Sequence, residues 1–271
     1  MTRWALRLGY DGGRFAGWAR QPGLSTVEGS IREGVVRCGV ALSVEEARIE
    51  VASRTDRGVS ARRNVLVLTS TLPGDPLLHA LNAIRPEIWF SAATPVAASF
   101  RPRHARSRWY RYFQTGKVHR LARWRAAAKW FEGPVDVRSF GRRIASDQPT
   151  FRTIESVRVQ PSTVGIRIDV KAPGFVWGMV RKMVGSLRQY DTGHLTGDVL
   201  RDAIAGRTRI TLPMAEPESL VLWDVDAGLR WTYRPPIPAP RQARYFDASI
   251  ERARIRGTLL RALRADAAPR S

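Results

Sequence analysis

Cysteine, lysine and acidic residues are all scarce in this chain of 271 residues. Cys38 is the single cysteine, so no disulfide can form within the chain. The four histidines are scattered and do not stand at metal-ligand spacing, so we expect no zinc or other metal site. No stretch approaches the roughly 18 uninterrupted apolar residues that span a bilayer, and the first residues lack the apolar core of a signal peptide. These absences predict a cytoplasmic protein with no membrane partner.

The shortage of acidic residues leaves a large positive charge. Lys and Arg number 45 against 24 Asp and Glu, which gives a formal net charge of +21. Only four of these 45 are Lys, which leaves 41 Arg. The planar guanidinium of Arg binds phosphate bidentately and stacks on bases, although a genome biased toward Arg codons explains the preference equally well. The net charge itself predicts an anionic partner, and nucleic acid fits a chain without a membrane segment.

The hydrophobic pattern predicts secondary structure in a repeated β-α-β-β-α-β order. The first set comprises a strand at 3–10, a helix from the Ser25 capping box to about Leu42, strands at 49–53 and 64–69, a helix at 75–84 and a strand at 88–93. The second set comprises a strand at 107–115, a helix around 135–145, strands at 154–160 and 164–171, a helix at 175–190 and a strand at 220–225.

This repeat predicts an α+β fold with two similar split-βαβ (ferredoxin-like) halves, whose antiparallel or mixed sheets flank a central active-site cleft. We place an N-terminal half at residues 1–105, a C-terminal half at 106–235, and a Pro-rich linker with a basic tail at 236–271. The basic segment 119–129 would connect the halves. A helix at 247–264 in the tail would be either a frayed end or a second RNA contact.

The most informative stretch is 53–61, Ser-Arg-Thr-Asp-Arg-Gly-Val-Ser-Ala, between two predicted strands. Loops in such places commonly present functional groups. Asp56 close to Gly58 would by itself indicate an ordinary turn, so the remainder of the chain has to decide its role.

Several motifs occur in the order in which one enzyme family has them. Arg54-Thr55-Asp56-x-Gly58-Val59 resembles the catalytic motif of the TruA-type tRNA pseudouridine synthases. The other matching residues are Tyr10-Asp11-Gly12, then Phe15, Gly17, Trp18 and Gln21, and the segments Thr26-Val27-Glu28, Leu81-Asn82-Ala83, Phe100 to Arg103, Arg108 to Tyr112, Arg152-Thr153-Ile154 and Phe175 to Gly185. The resemblance spans roughly residues 3–225. Arg57 and Ser60 resemble its archaeal and eukaryotic branches, whereas Glu216 and Ser219 depart from its closing pattern; these departures concern RNA choice rather than the reaction.

The resemblance implies that the protein isomerises uridine in tRNA to pseudouridine with no cofactor. It implies that Asp56 is the essential carboxylate, that Arg181 pairs with it, and that Tyr110 packs on the flipped uracil and handles its C5 proton. Asp56 could attack the sugar, attack the base or remove a sugar proton, and the sequence does not choose among these paths. On the strand of Tyr110, we expect Trp109 and Phe113 to face the opposite side and form core.

The resemblance also implies where RNA would bind. Arg54 would fill the gap that the flipped base leaves, and the candidate RNA-binding residues are Arg54, Arg57, Gly58, Arg101, Arg103, Arg108 and Arg111. The implied target is the anticodon stem-loop, at positions 38 to 40 of the tRNA, although related enzymes act at other tRNA sites. Bacterial members are homodimers, so a homodimer is a further expectation.

Two other functions compete with this interpretation. A noncatalytic basic RNA-binding or assembly protein would explain the charge, but it would not need Asp56 in its motif. A metal-dependent nuclease would want two or more clustered carboxylates, and the local spacing shows none. Asp11 is the rival carboxylate, and a turn-forming role explains it fully.

Overall fold

In a computed structural model, the chain forms a mixed sheet with helices packed against it. The structure describes residues 1–116, 118, 120–141, 149–235 and 240–267, without the side chains of 262–267. The strands within them are β1 (Thr2–Tyr10), β2 (Glu50–Val51), β3 (Ser60–Ser70), β4 (Ile88–Pro95), β5 (Ser107–Thr115), β6 (Gly133–Asp136), β7 (Phe151–Ile154), β8 (Ser156–Ser162), β9 (Gly165–Ala172) and β10 (Leu220–Asp226). The helices are α1 (Val27–Arg37), α2 (Val44–Ala47), α3 (Gly74–Asn82), α4 (Leu121–Lys129), α5 (Val137–Phe140), α6 (Met179–Thr192), α7 (Gly197–Ile204) and α8 (Pro240–Ala267).

The two halves have the same strand order and share one sheet of eight strands. Strands of the first half run β4-β1-β3-β2 and those of the second run β10-β5-β9-β8, with neighbours antiparallel. The α+β fold with two similar halves is therefore confirmed. The halves join where β10 pairs in parallel with β3, at Val221 with Ser60 and Leu222 with Ala61. Strands β6 and β7 form a separate hairpin-like sheet.

Each half has its own hydrophobic core. Trp4, Leu6, Leu8 and Tyr10 of β1 contribute alternate side chains to the first core, as a half-buried strand does. The second core gathers residues of β5, β8, β9, α4 and α6. Tyr110 packs against both cores, which places it at the junction of the halves.

The first helix begins and ends at other residues than the sequence indicates. Thr26, not Ser25, is the N-cap, because its extended backbone lets its hydroxyl accept a hydrogen bond from Gly29 N at 3.2 Å. The helix ends at Arg37 rather than near Leu42, since Gly39 adopts the left-handed conformation that closes a helix.

The region between the halves is more ordered than predicted. Residues 121–129 of the supposed basic connector form α4, which buries Trp124, Ala127 and Ala128 against the second core, while residue 119 lies outside the described residues. The prediction of a helix around 135–145 is wrong for residues 135 and 136. There, β6 runs to Asp136, whose side chain then caps the short α5, and positions 142–148 lie outside the described residues. Helix α7, capped by Thr196, was not predicted.

The C-terminal helix begins earlier than expected, at Pro240 rather than Asp247. Its first turns dock on the N-terminal half: buried Gln242 donates to Asn82 O at 3.0 Å, and Phe246 packs edge-to-face on Trp89 at 5.1 Å. Residues 236–239 of the Pro-rich run lie outside the described residues. Among the helices described, none combines the length and apolar character that crossing a bilayer requires.

Candidate active site

The loop that carries Asp56 connects β2 to β3 and is fixed along its length. Thr55 is held twice, since its hydroxyl bonds Tyr10 OH at 2.8 Å and its carbonyl accepts from Trp18 N at 3.0 Å. The Asp56 carbonyl accepts from Val59 N at 3.1 Å, and Gly58 closes this turn at a φ of +82°, in the left-handed region. The backbone therefore presents the Asp56 side chain in a defined direction.

Arg181 of α6 faces Asp56 directly. Its Nη1 lies 3.1 Å from Asp56 Oδ2, and its Nε donates to Ala215 O at 2.7 Å. The side chains of Arg181 and Asp56 are 16% and 22% exposed, so the ion pair is sheltered but open to a ligand. The ion pair that the resemblance implies is present. Because both side chains are partly removed from water, each charge is stabilised mainly by the opposite charge of its partner.

Tyr110 of β5 stands beside this pair. Its ring packs edge-to-face on Phe175, with the ring centroids 5.2 Å apart. Burial raises the pKa of Tyr110, and the nearby negative charge of Asp56 raises it further. The phenol is therefore protonated at neutral pH, with its O–H available as a hydrogen-bond donor.

These three residues line one cleft of about 1410 Å³, which exceeds the roughly 300–1,000 Å³ of pockets for small molecules. Its walls are the Asp56 loop, residues 16–21, residues 173–181 and the segment around 214–220. The arginines in the lining are Arg54, Arg57, Arg103, Arg108 and Arg181. The cleft thus has room for a polymer segment, and its five arginines share the lining with the carboxylates of Glu28, Glu50, Asp56 and Glu218.

The candidate RNA-binding arginines occupy different environments. Arg54, Arg57 and Arg103 are exposed and line the cleft. Arg101 is also exposed, but its Nη1 donates to Ala98 O and Phe100 O, outside the cleft lining.

Arg108 and Arg111 are buried and engaged by protein groups. Arg108 donates to the carbonyls of Ala52, Arg103, Ala105 and Pro173, and burial lowers its pKa. It braces the Asp56 loop against the loop that follows β9. Arg111 binds Asp169 through two hydrogen bonds of 2.7 and 3.1 Å. The structure therefore brings Asp56, Tyr110, Arg181, Arg54, Arg57, Gly58 and Arg103 together, with Arg108 behind them.

Trp109 lies on the opposite face of β5 from Tyr110, as alternation predicts, but the expectation that it forms core is wrong. Its indole is partly exposed, packs near Trp223 at 6.1 Å and donates to Asp169 Oδ1 at 2.9 Å. Phe113 on the same face is also only partly buried, whereas Tyr112 on the Tyr110 face is buried.

Sequence reasoning missed a polar network next to the ion pair. Arg188 Nη2 donates to Glu216 Oε2 and to Gln114 Oε1, both at 2.8 Å, while Tyr112 OH donates to Glu216 at 3.0 Å. Hydrogen bonding from Arg188 is the main reason that the pKa of Glu216 falls to about 2. The network anchors the residue after Ala215, the partner of Arg181. The available signal was that Glu216 departs from the family's closing pattern.

Asp11 has the structural role that its turn indicates. Its Oδ1 accepts from Gly13 N at 3.0 Å, and its Oδ2 accepts from the Tyr245 hydroxyl of α8. It does not line the cleft. Among the described residues, no group of His, Cys, Asp and Glu side chains is arranged to hold a metal ion.

Comparisons with known proteins agree on one family. A family profile described as tRNA pseudouridine synthase matches residues 127–226. The chain is 35% identical to tRNA pseudouridine synthase A of Thermococcus kodakarensis over 224 residues, which cover 82% of this chain and 84% of that protein. It is 34% identical to the protein of that name from Thermococcus onnurineus over 226 residues (83% and 84%), and 32% identical to the one from Methanosphaerula palustris over 261 residues (95% and 91%).

Proposed function

Since this chain belongs to the TruA-type tRNA pseudouridine synthases and is therefore an isomerase acting on tRNA, we propose that Asp56 is its catalytic carboxylate. We propose also that its target uridines lie in the anticodon stem-loop, at positions 38 to 40 of the RNA. The observation that carries the assignment of Asp56 is its ion pair with Arg181, 3.1 Å long, at a cleft that also contains Tyr110.

The proposed reaction needs a flipped nucleotide and one ionised carboxylate. Unstacking the uridine costs a few kcal/mol, which contacts in the cleft offset. The bond from N1 of the base to the sugar then breaks, the base rotates, and C5 bonds to the sugar. The C5 hydrogen leaves as a proton and N1 takes one up, so reactant and product are isomers. Arg181 lies 3.1 Å from the Asp56 carboxylate and would hold it in place through this sequence. The Tyr110 hydroxyl, held protonated by burial, would relay the C5 proton, accepting it on oxygen while it gives its own hydrogen to water, so that no phenolate persists.

The surrounding residues have proposed roles of their own. Arg54 and Arg57, which are exposed on either side of Asp56, would hold the RNA backbone and fill the space that the flipped base leaves. Arg103 would contact a phosphate at the cleft rim. Arg101 remains a candidate at the periphery, whereas Arg108 and Arg111 act through the protein contacts described above.

The larger organisation is also part of the proposal. We assign the two repeats to residues 1–105 and 106–235, supported by their separate cores and equal strand order, and the linker and tail to 236–271. We expect the enzyme to meet tRNA in the cytoplasm and to act as a homodimer, which light scattering of the purified protein tests.

Asp56→Asn tests the catalytic assignment because it keeps the size of the side chain and removes its charge. We expect no detectable tritium release from tRNA labelled at C5 of uridine, with folding and tRNA binding retained. Forming the new carbon–carbon bond obliges that hydrogen to leave, so release reports product directly. Mapping the pseudouridines that the wild-type enzyme makes tests positions 38 to 40 separately.

Asp11→Asn is the matched control, since Asp11 also sits in a Gly-containing loop of the first half but outside the cleft. It should keep release within about threefold of the wild type. Release by Asp56→Asn within about tenfold of the wild type, a barrier change of about 1.4 kcal/mol, would refute the assignment.

A further inference from the structure

One tryptophan differs from the others in its exposure to solvent. The chain has nine, all within the described residues, and among them Trp177 alone is exposed, with 40% of its surface accessible. Trp177 also lines the cleft that contains Asp56. Tryptophan has the largest apolar surface of any residue, and the exposed part of this indole lies in a concave site, within reach of a ligand.

Contacts hold the loop that presents Trp177 at both of its ends. Residues 173–178 connect β9 to α6, and the Pro173 carbonyl accepts from Arg108 at 2.5 Å. Phe175 packs on Tyr110, and Met179 N donates to Val176 O at 3.1 Å.

The conformation of Gly178 completes the presentation. Its φ of +77° lies in the left-handed region, and a Cβ there would approach the Met214 methyl to 2.9 Å. A glycine directly after Trp177 thus permits the turn that leads into α6. Trp177 is consequently presented by a braced backbone on the same wall as Phe175, the residue that positions Tyr110.

We propose that Trp177 is the stacking platform for the unpaired base next to the target uridine. The inference rests on the proposed function, because it takes RNA as the ligand of the cleft. A flipped uridine leaves its neighbour without one stacking partner, and an indole beside the uracil site replaces that contact. Stacking on an aromatic side chain tolerates any base, so this residue contributes affinity and register rather than chemistry.

The kinetic test separates positioning from catalysis. In tritium-release assays, Trp177→Ala should raise KM by about 10- to 100-fold and change kcat by less than about threefold, since stacking on a flanking base is equal in the ground and transition states. Trp177→Phe keeps an aromatic face and should restore KM to within about threefold of the wild type. Trp223→Phe is the matched control, because Trp223 packs against Trp109 and Arg111 on the opposite face of the sheet.

A second measurement identifies the partner of Trp177. A stem-loop RNA with an abasic nucleotide beside the target uridine should bind the wild type about as weakly as Trp177→Ala binds the intact RNA. Combining both changes should produce little further loss, because they remove the same contact. RNA should also quench tryptophan fluorescence in the Asp56→Asn background and in its Trp223→Phe derivative, and much less in its Trp177→Phe derivative.

Each outcome decides the proposal. Additive losses in the abasic experiment, a wild-type KM in Trp177→Ala, or a loss confined to kcat would each overturn it. Quenching and abasic binding need no turnover, so they report on Trp177 even if the wild-type enzyme released no tritium, a result that would instead refute the proposed function.

Discussion

Arg181 fixes Asp56 with one edge of its guanidinium and the segment before β10 with the other. Nη1 donates to the Asp56 carboxylate and Nε donates to the Ala215 carbonyl, so these two hydrogen bonds fix the orientation of the guanidinium in the ion pair. Lys would present a single nitrogen and lacks the fixed spacing between Nη1 and Nε that sets these two contacts. Ala215 N in turn donates to the Arg181 carbonyl at 3.1 Å, which ties the same two residues through their backbones.

Tyr110→Phe tests the role of the phenol oxygen. The variant keeps the ring that packs on Phe175, so folding and tRNA binding should remain within about twofold of the wild type. Loss of an acid–base group lowers rates by about 10²- to 10⁴-fold, and we expect tritium release to fall within that range. Tritium release from Tyr110→Phe at the wild-type rate would show that Tyr110 only packs against its neighbours.

The pH profile of the wild type gives the same residue a second test. The pKa of Tyr110 in the folded protein is raised above the usual value of about 10, so the phenol stays neutral at all pH values below 10. Above about pH 10 the tyrosine loses its proton first in the unfolded chain, which lowers the free energy of unfolding only in that range. Between about pH 7 and 9 there should consequently be no rise in rate from phenolate formation. A rise that disappears in Tyr110→Phe would contradict a protonated phenol.

Single residues show what the sequence can and cannot predict. Asp56, Tyr110 and Arg181 were identified through motifs, and the structure places them in one cleft. Arg108 and Arg111 stand in an equally basic run, yet both guanidinium groups bind protein oxygens. Their partners are separated from them by up to 65 residues, as with Pro173, so only the folded chain reveals that they are buried.

At the scale of elements, strands with clear alternation were predicted more closely than helix ends, whereas β6 and most of β7 were not predicted as strands. The bounds of β5 follow from alternation, and those of β1 differ by one residue. Helix α4 was missed because its N-cap, Arg120, makes no side-chain capping bond and its exposed face is basic like a linker. The start of α8 was missed because Pro240 follows a Pro-rich run, although proline is favoured at the first helical position.

The C-terminal helix divides into an anchor and an arm. The anchor contains Gln242, Tyr245 and Phe246, which contact the N-terminal half. The arm from residue 250 onward would extend about 27 Å at 1.5 Å per residue. Its described side chains are largely exposed and include Arg252, Arg254, Arg256 and Arg261.

Deleting residues 250–271 should weaken tRNA binding and leave turnover on saturating RNA within about twofold of the wild type. The anchor remains, so the fold should be retained, which circular dichroism checks. A full-length variant with Arg252, Arg254 and Arg256 changed to Gln is the matched control for charge, and it should lose about as much affinity per arginine as the deletion does. A folded truncation with no turnover would contradict a purely binding role for the arm.

On the scale of the whole molecule, the cleft crosses the junction of the halves. Asp56 and Arg54 come from the loop before β3, while Tyr110 and Arg181 come from β5 and α6. The parallel pairing of β3 with β10 brings these groups together. The sequence pattern predicted the repeated order of strands, but parallel pairing between halves depends on contacts about 160 residues apart, which periodicity does not encode.

The net charge of +21 makes a prediction about the entire binding surface. Each phosphate that the protein neutralises releases counterions, so log K should fall linearly with log salt, with a slope of about −0.7 to −0.9 per contact. The exposed arginines of the cleft and arm would together give a slope of about −5 to −6 if all of them contact phosphate. These arginines are Arg54, Arg57, Arg103, Arg252, Arg254, Arg256 and Arg261. Deleting 250–271 removes the last four of these arginines together with Arg264 and Arg270, so it should reduce the magnitude of the slope by at least about three. Arg207→Gln, which removes an arginine paired with Asp202 outside the cleft lining, should leave the slope unchanged. Filter binding of tRNA between about 50 and 200 mM salt measures these slopes, and a flat wild-type line would show that charge does not drive docking.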